Sequence, residues 1–252
     1  MKRCLVYPVL SASMPMQMAL DELLFEQALS SRLAGGASRA GLRFYYASEP
    51  WISLGYAYSG WKNPEVFPSD SAAEGGIPVC RRLTGGGRVL HGRDLMFTLI
   101  ADREFDDSFK SVRISYLKLH EVLKEALEVF GVDCRFYRCD EALEKGRDCF
   151  RYPIATDLEA GGKKIAGGGQ KRSQGVLMHQ ESIQVSGALE PELWKAFLEC
   201  FCQTFGTVVV PQDWDPDLLF QAERIGELRY RLTAGSPTPA GVSDEMITAE
   251  SR

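Results

Sequence analysis

Three observations predict an α+β fold with a mixed, largely antiparallel sheet and flanking helices. Helical and strand-like patterns are interspersed along the 252 residues, without the regular strand–helix–strand repeat of a doubly wound sheet. The Gly161-Gly162 pair between two short strand-like runs reads as a hairpin turn, which joins antiparallel neighbours. Apolar residues make up 45% and charged residues 25% of the chain, far from a disordered, collagen-like or coiled-coil composition.

The elements follow in order. The opening run MKRCLVYPVLSASMPM has an apolar stretch shorter than the roughly 7–15 residues of a signal-peptide core, and reads as a first strand. From Met16 to Leu33, Leu20, Leu23, Leu24, Ala28 and Leu29 recur at helical spacing before Gly35-Gly36. Leu42 to Tyr46 is an aromatic-rich strand, and Trp51 to Leu54 another after the Glu49-Pro50 turn. Val79 to Leu83 is a strand closed by Gly85-Gly86-Gly87, and Leu95 to Ala101 is apolar enough for a buried strand. A helix from Ser111 to Phe130 puts Tyr116, Leu119, Leu123, Ala126 and Leu127 on one face, with Gly131 as its cap. Val132 to Tyr137 reads as a strand, Asp140 to Arg151 as a polar loop and Val176 to Val185 as a strand. The last predicted helix, from Pro191 to Phe205, carries a proline in its first turn. Residues 1–225 are read as one domain and 226–252 as a short polar extension, rich in Thr, Gly, Ser and Pro after Leu232.

Net charge is −5, from 29 basic and 34 acidic residues, which disfavours nucleic acid as the main partner. No run of 18 apolar residues predicts a membrane span. Seven cysteines include no C-x-x-C pair, and His91, His120 and His179 stand far apart, so neither a zinc site nor a disulfide framework is expected. Cys4, Cys134 and Cys200 sit in apolar sequence and read as packing residues.

Three segments carry chemistry. Arg81-Arg-Leu-Thr-Gly-Gly-Gly-Arg-Val-Leu-His91 offers free backbone N–H groups and close approach to a ligand, with arginines on both sides. It lacks the Gly-Lys-Ser/Thr ending of a Walker loop, and a surface turn with solvated arginines fits the same residues. Gly162-Lys-Lys-Ile-Ala-Gly-Gly-Gly-Gln170 places Lys163 and Lys164 on opposite faces of a strand; a desolvated lysine there serves as a base, a solvated one does not. Cys149 lies between Arg147 and Arg151, and nearby positive charge favours the nucleophilic thiolate over a plain loop thiol.

Together these segments resemble the lipoate/octanoate attachment family, within the biotin/lipoate protein ligase superfamily. The stretches at 81–91 and 162–170 are the most specific, Pro50 to Gly55 resembles a further element, and the likeness spans about residues 5–210. Cys149-Phe-x-x-Pro153 is similar to the acyl-enzyme cysteine of the octanoyltransferase branch. The resemblance implies a biotin/lipoate ligase-like catalytic domain with an acyl tunnel, in a cytoplasmic enzyme that needs no cofactor or metal. Cys149 would take octanoyl (or lipoyl) from acyl carrier protein and pass it to the lysine of a lipoyl domain, such as glycine cleavage H protein or a 2-oxoacid dehydrogenase E2. Lys164 would be the base, and Arg82, Thr84, Gly85, Gly86, Gly87, His91, Gly167, Gly168 and Gln170 would bind substrate. The basic residues Arg81, Arg82, Arg88, Arg93, Lys163, Lys164, Lys171 and Arg172 would steer acidic partners.

Both motifs depart from the family pattern. Gly92 stands where aspartate is usual after the histidine, and Gly168-Gly169 where Ser-Ala is usual. The rival readings are an ATP- and Mg-dependent lipoate or octanoate ligase with Cys149 a bystander, a biotin ligase, and a carrier-binding paralogue without activity.

Overall fold

The computed structural model describes residues 2–36, 39–58, 76–138, 149–151, 153–185 and 190–232. Its elements are β1 (Lys2–Ala12), α1 (Met14–Leu33), β2 (Ala40–Ala47), β3 (Trp51–Leu54), β4 (Val79–Arg81), β5 (Arg88–His91), β6 (Leu95–Asp102), α2 (Val112–Val129), β7 (Arg135–Phe136), β8 (Leu158–Ala160), β9 (Lys163–Ser173), β10 (Val176–Ile183), α3 (Glu190–Phe205), β11 (Thr207–Pro211), α4 (Pro216–Ile225) and β12 (Arg231–Leu232).

Eight strands form a large sheet in the order β11-β1-β2-β6-β10-β9-β8-β7, and four form a small one in the order β12-β4-β3-β5. β1 runs parallel to β2 and β11, and β3 parallel to β4; the other neighbours are antiparallel. The α+β expectation therefore holds, with two sheets where one was foreseen.

β6 is largely apolar because both of its faces are covered, and period-two alternation divides its residues between them. Leu95, Phe97 and Leu99 pack with Phe44, Leu119, Leu123, Phe197 and Phe201 under α2 and α3. Met96 and Ile100 face the other way, onto Met14, Met18, Leu20 and Phe25 of α1. Helices thus cover both faces of the large sheet. α1 starts two residues before the predicted Met16 because the Ser13 side chain accepts from the Met16 N–H and Pro15 fits the first turn. Ser111 caps α2 in the same way.

Arg43 interrupts the aromatic β2 and points to the α1 face, 1% exposed. Its Nε donates to Asp21 Oδ1 at 2.7 Å and its Nη1 to Gln17 Oε1 at 2.6 Å, so the charge is paired where it is buried.

Several boundaries differ from the sequence reading. The strand expected over Val132 to Tyr137 reduces to Arg135–Phe136, and Val79–Arg81 ends before Leu83. β5, β11 and α4 were not foreseen. The extension expected from 226 begins as packed structure. Gly226–Tyr230 forms a π-helical turn that buries Tyr230, and β12 pairs with β4. An aromatic anchor and a strand edge hold this stretch in place; residues 233–252 lie outside the described part. Cys4 and Cys134 are buried as expected, whereas Cys200 is only half-buried. No helix among the described residues is long and apolar enough to cross a membrane.

Candidate functional site

The triple-glycine loop leaves β4 and returns as β5, at the edge of the small sheet. Cys149 is tied to it twice: its N–H donates to Arg88 O at 3.0 Å, and the Gly87 N–H donates to its Sγ at 2.9 Å. Gly86 has φ +94, and a Cβ there would stand 3.2 Å from Cys149 Sγ and 2.7 Å from Arg82 Nη2. Glycine is therefore required both by the backbone and by the contact between Arg82 and the sulfur.

Arg82 is buried beneath this loop. Its Nη2 donates to Gly85 O at 2.8 Å and reaches Cys149 Sγ at 3.8 Å, while its Nη1 donates to Ser53 Oγ at 3.1 Å. Burial lowers its pKa, and facing Cys149 opposes that shift. Ser53 Oγ and His91 Nε2 are 2.7 Å apart, and His91 Nδ1 lies 2.7 Å from Asp94 Oδ2. Asp94 also accepts from Ser182 Oγ and from the Gly92 N–H. Burial alone would raise its carboxyl pKa; His91, Ser182 and Gly92 outweigh that and hold it below the usual value. Although position 92 lacks the family's aspartate, His91 still has a carboxylate partner, supplied two residues later by Asp94.

Lys164 enters from the large sheet. Its side chain is 5% exposed, and its Nζ donates to Asp157 Oδ2 at 2.7 Å. Asp157 also accepts from Tyr116 Oη at 2.6 Å and from the Ile154 N–H at 2.8 Å. The lysine lies against Gly167, filling the space a side chain there would need, and 5.1 Å above the ring of Phe150. Lys163 is exposed, as strand alternation requires.

A cavity of about 40 Å³ lies beside the cysteine loop. Arg82, His91, Cys149, Gly167, Gly168 and Gly169 line it together with Met14, Met18 and Met96, whereas Lys164 and Asp157 are not among its lining residues. Thr84 closes the loop onto the large sheet by donating to Gln180 Oε1 at 2.8 Å. Gln170 is directed elsewhere: its amide bonds Ser115, Arg172 and His179. A roomier apolar cavity of about 130 Å³, between α1 and the β1–β2–β6 face, holds none of the motif residues.

Beside the site, Glu181 Oε2 lies 3.0 Å from His120 Nε2 and 2.9 Å from His179 Nε2, all three residues being buried. These donors have the spacing of a metal site. The surrounding bonds instead fix protons on them. His120 Nδ1 donates to Thr156 O at 2.6 Å while its Nε2 faces the Glu181 carboxylate, so this ring carries a proton on each nitrogen; His179 Nδ1 accepts from Gln170 Nε2 at 3.2 Å, which leaves its Nε2 to donate to Glu181. Burial would raise Glu181, but the two imidazoles outweigh it and hold the carboxyl at about 2. Burial lowers His179; at His120 the carboxylate overcomes burial and raises it. This cluster also accounts for Gly168: a Cβ there would stand 2.4 Å from Glu181 Oε2 and 2.5 Å from Gln180 O.

The basic patch expected from sequence does not form as drawn. Arg81 and Arg82 are buried, Lys164 is enclosed in its ion pair, and Arg172 bonds Phe109 O and Ser111 O; Arg93 and Lys163 are exposed. Arg147 lies outside the described residues. Sequence reasoning missed Ser53, Asp94, Tyr116, Asp157 and Glu181. Only Asp94, three residues beyond His91, had a local signal.

Residues 13–205 match the model of the lipoyl protein ligase A/B catalytic domain. An octanoyltransferase LipM of Oceanobacillus iheyensis is 30% identical over 175 residues, 69% of this chain and 60% of that protein. A LipM of Kyrpidia tusciae is 29% identical over 212 residues, 82% of this chain and 72% of that protein. The chain thus spans about three fifths of the length of the first of these relatives. Among solved structures, a lipoate-protein ligase A bound with ATP superposes with TM-score 0.66 at 18% identity, covering 90% of this chain and 95% of that one, a likeness of fold alone.

Proposed function

The chain belongs to the lipoyl protein ligase A/B catalytic domain family, and on that premise we propose that it transfers octanoyl from acyl carrier protein to a lysine of a lipoyl-domain protein through a thioester on Cys149. The observation that carries this reading is the setting of the sulfur. Cys149 Sγ accepts the Gly87 N–H and faces the buried Arg82, and both residues line a cavity that Met14, Met18 and Met96 also line. The similarity to LipM octanoyltransferases supports it. Residues 1–225 and the packed stretch to Leu232 form the catalytic unit of this reading, which works in the cytoplasm.

In the first half-reaction the thiolate attacks the donor's thioester carbonyl. A new C–S bond forms, the carrier's sulfur leaves, and it takes a proton from Lys164. In the second, the acceptor lysine must arrive neutral, since an ordinary lysine is almost wholly protonated at pH 7. The neutral Lys164 takes the proton released as the amine attacks, an amide forms, and Cys149 leaves as thiolate. Asp157 fixes the Lys164 Nζ at the Gly167 wall throughout. The cavity of about 40 Å³, against the roughly 10–15 Å³ that one water needs, holds no more than a few waters. An eight-carbon chain enters only if Met14, Met18 and Met96 shift, and methionine suits such rearrangement.

The test is mass analysis after incubation with octanoyl-carrier protein without ATP. An octanoyl adduct on the Cys149 peptide, absent in Cys149→Ala, is expected. Modification of a lipoyl domain only with ATP and free octanoate would reject the transferase reading in favour of a ligase.

A further inference from the structure

The geometry points to a further catalytic group: we propose that Arg82 is the counter-charge of the Cys149 thiolate, and that Ser53, His91 and Asp94 form a positioning chain that fixes its guanidinium. The proposal rests on the reading of Cys149 as the acyl-carrying nucleophile.

Arg82 is 9% exposed, and among the described residues no carboxylate pairs with it. A buried guanidinium without an anion is costly. Apart from the sulfur, its acceptors are Gly85 O, Ser53 O and Ser53 Oγ, all neutral. Cys149 Sγ is the single acceptor around it that becomes an anion, by giving up the thiol proton. The second donor to that sulfur, the Gly87 N–H, carries no formal charge, which leaves Arg82 as the compensating ion.

The chain behind Arg82 has one consistent direction. Asp94 takes the Nδ1 proton of His91, so Nε2 presents a lone pair and accepts the Ser53 hydroxyl proton. Ser53 Oγ then turns its own lone pair to Arg82 Nη1. In the opposite tautomer, His91 would donate to Ser53 and push the hydroxyl proton toward Arg82, donor against donor. Asp94 prevents this and is itself fixed by Ser182 and Gly92. The order is that of an Asp–His–Ser triad, with the serine oxygen receiving a guanidinium instead of attacking a carbonyl.

The experiment measures Cys149 carbamidomethylation by iodoacetamide against pH on the full chain, read on the Cys149 peptide, with melting curves in parallel. Arg82→Gln should slow alkylation at pH 7 about tenfold or more and move the profile to higher pH. Arg82→Lys, a point charge without the fork, should recover part of the rate. Ser53→Ala and Asp94→Asn should move the profile in the same direction by less; they also serve if Arg82→Gln does not fold. A parental profile in Arg82→Gln would overturn the proposal. So would lowered melting temperatures in Ser53→Ala and Asp94→Asn with unchanged profiles, or an acyl ester on Ser53. The alkylation needs no acyl donor, so its result stands apart from failure of the acyl-enzyme reading, which would appear as octanoyl transfer by Cys149→Ala.

Discussion

Replacing Gly86 by alanine adds one methyl group at the point where Arg82 and Cys149 meet. Two costs follow from the structure. The backbone at φ +94 is one that L residues avoid, at about 1–2 kcal/mol. The new Cβ would stand 2.7 Å from Arg82 Nη2, closer than real Cβ atoms come, and 3.2 Å from Cys149 Sγ. Arg82 must withdraw, giving up its approach to the sulfur and its 2.8 Å bond to Gly85 O. The stability cost lowers Tm by roughly 2–8 °C in a chain of this size, leaving the protein folded at 25 °C. Single-turnover acylation by octanoyl-carrier protein, read by mass, should fall about tenfold or more through loss of the counter-charge. Gly161→Ala is the control. Gly161 also has positive φ (+58), but nothing lies within 4 Å of its Cβ position, so Tm should fall by a similar amount with acylation unchanged. Equal acylation rates in Gly86→Ala and the parent would refute the reasoning, because the wedge between Arg82 and the sulfur would then have no consequence.

Lys164→Arg keeps a charge beside Asp157 but supplies a group that does not deprotonate, so octanoyl transfer should fall about 10²–10⁴-fold, while exposed Lys163→Arg retains it; comparable rates would show that Lys164 moves no proton. Glu181→Gln should cost about 3 kcal/mol or more at neutral pH in denaturant melts, since it strips the carboxylate from two buried imidazoles. The Glu181 pKa is depressed, from 4.5 to about 2, so its contribution is complete above about 4.5 and lost as pH falls toward 2. The stability gap between parent and variant should therefore close over that window, and a gap independent of pH would contradict the assignment. Gly168→Ser, which restores the family's usual residue, should destabilise the protein, because its Cβ meets Glu181 Oε2 and the Gln180 carbonyl; an unchanged Tm would count against that packing.

Much of this was legible in local pattern. Helices α1, α2 and α3 were legible because their apolar stripes, and the Ser111 cap of α2, lie within one element, and the Gly161-Gly162 hairpin because its turn residues are adjacent. That Lys163 and Lys164 point to opposite faces followed from strand alternation alone. The second sheet was not legible, because β3, β4 and β5 are three or four residues long and β3 takes β4 on one side and β5 on the other through register that no short motif encodes. The histidines were read as unrelated because their separation along the chain is large. Pairing of β10 with β9 and packing against α2 bring His120 and His179 onto one carboxylate. The arginine-rich motif suggested a charged surface, yet its first two arginines are structural and electrostatic groups inside the fold.

The attachment of Cys149 has a mechanical consequence. Both of its anchoring bonds, to Arg88 O and from the Gly87 N–H, run to the small sheet, whereas Lys164 and Asp157 belong to the hairpin side of the large one. In the function proposed above, the nucleophile and its proton-transfer partner therefore sit on different sheets. The Thr84–Gln180 bond is a strut across the seam between them. Any acyl chain that prises the seam apart changes the spacing of sulfur and amine at the same time, so the room made for the substrate and the alignment of the reacting pair are one degree of freedom.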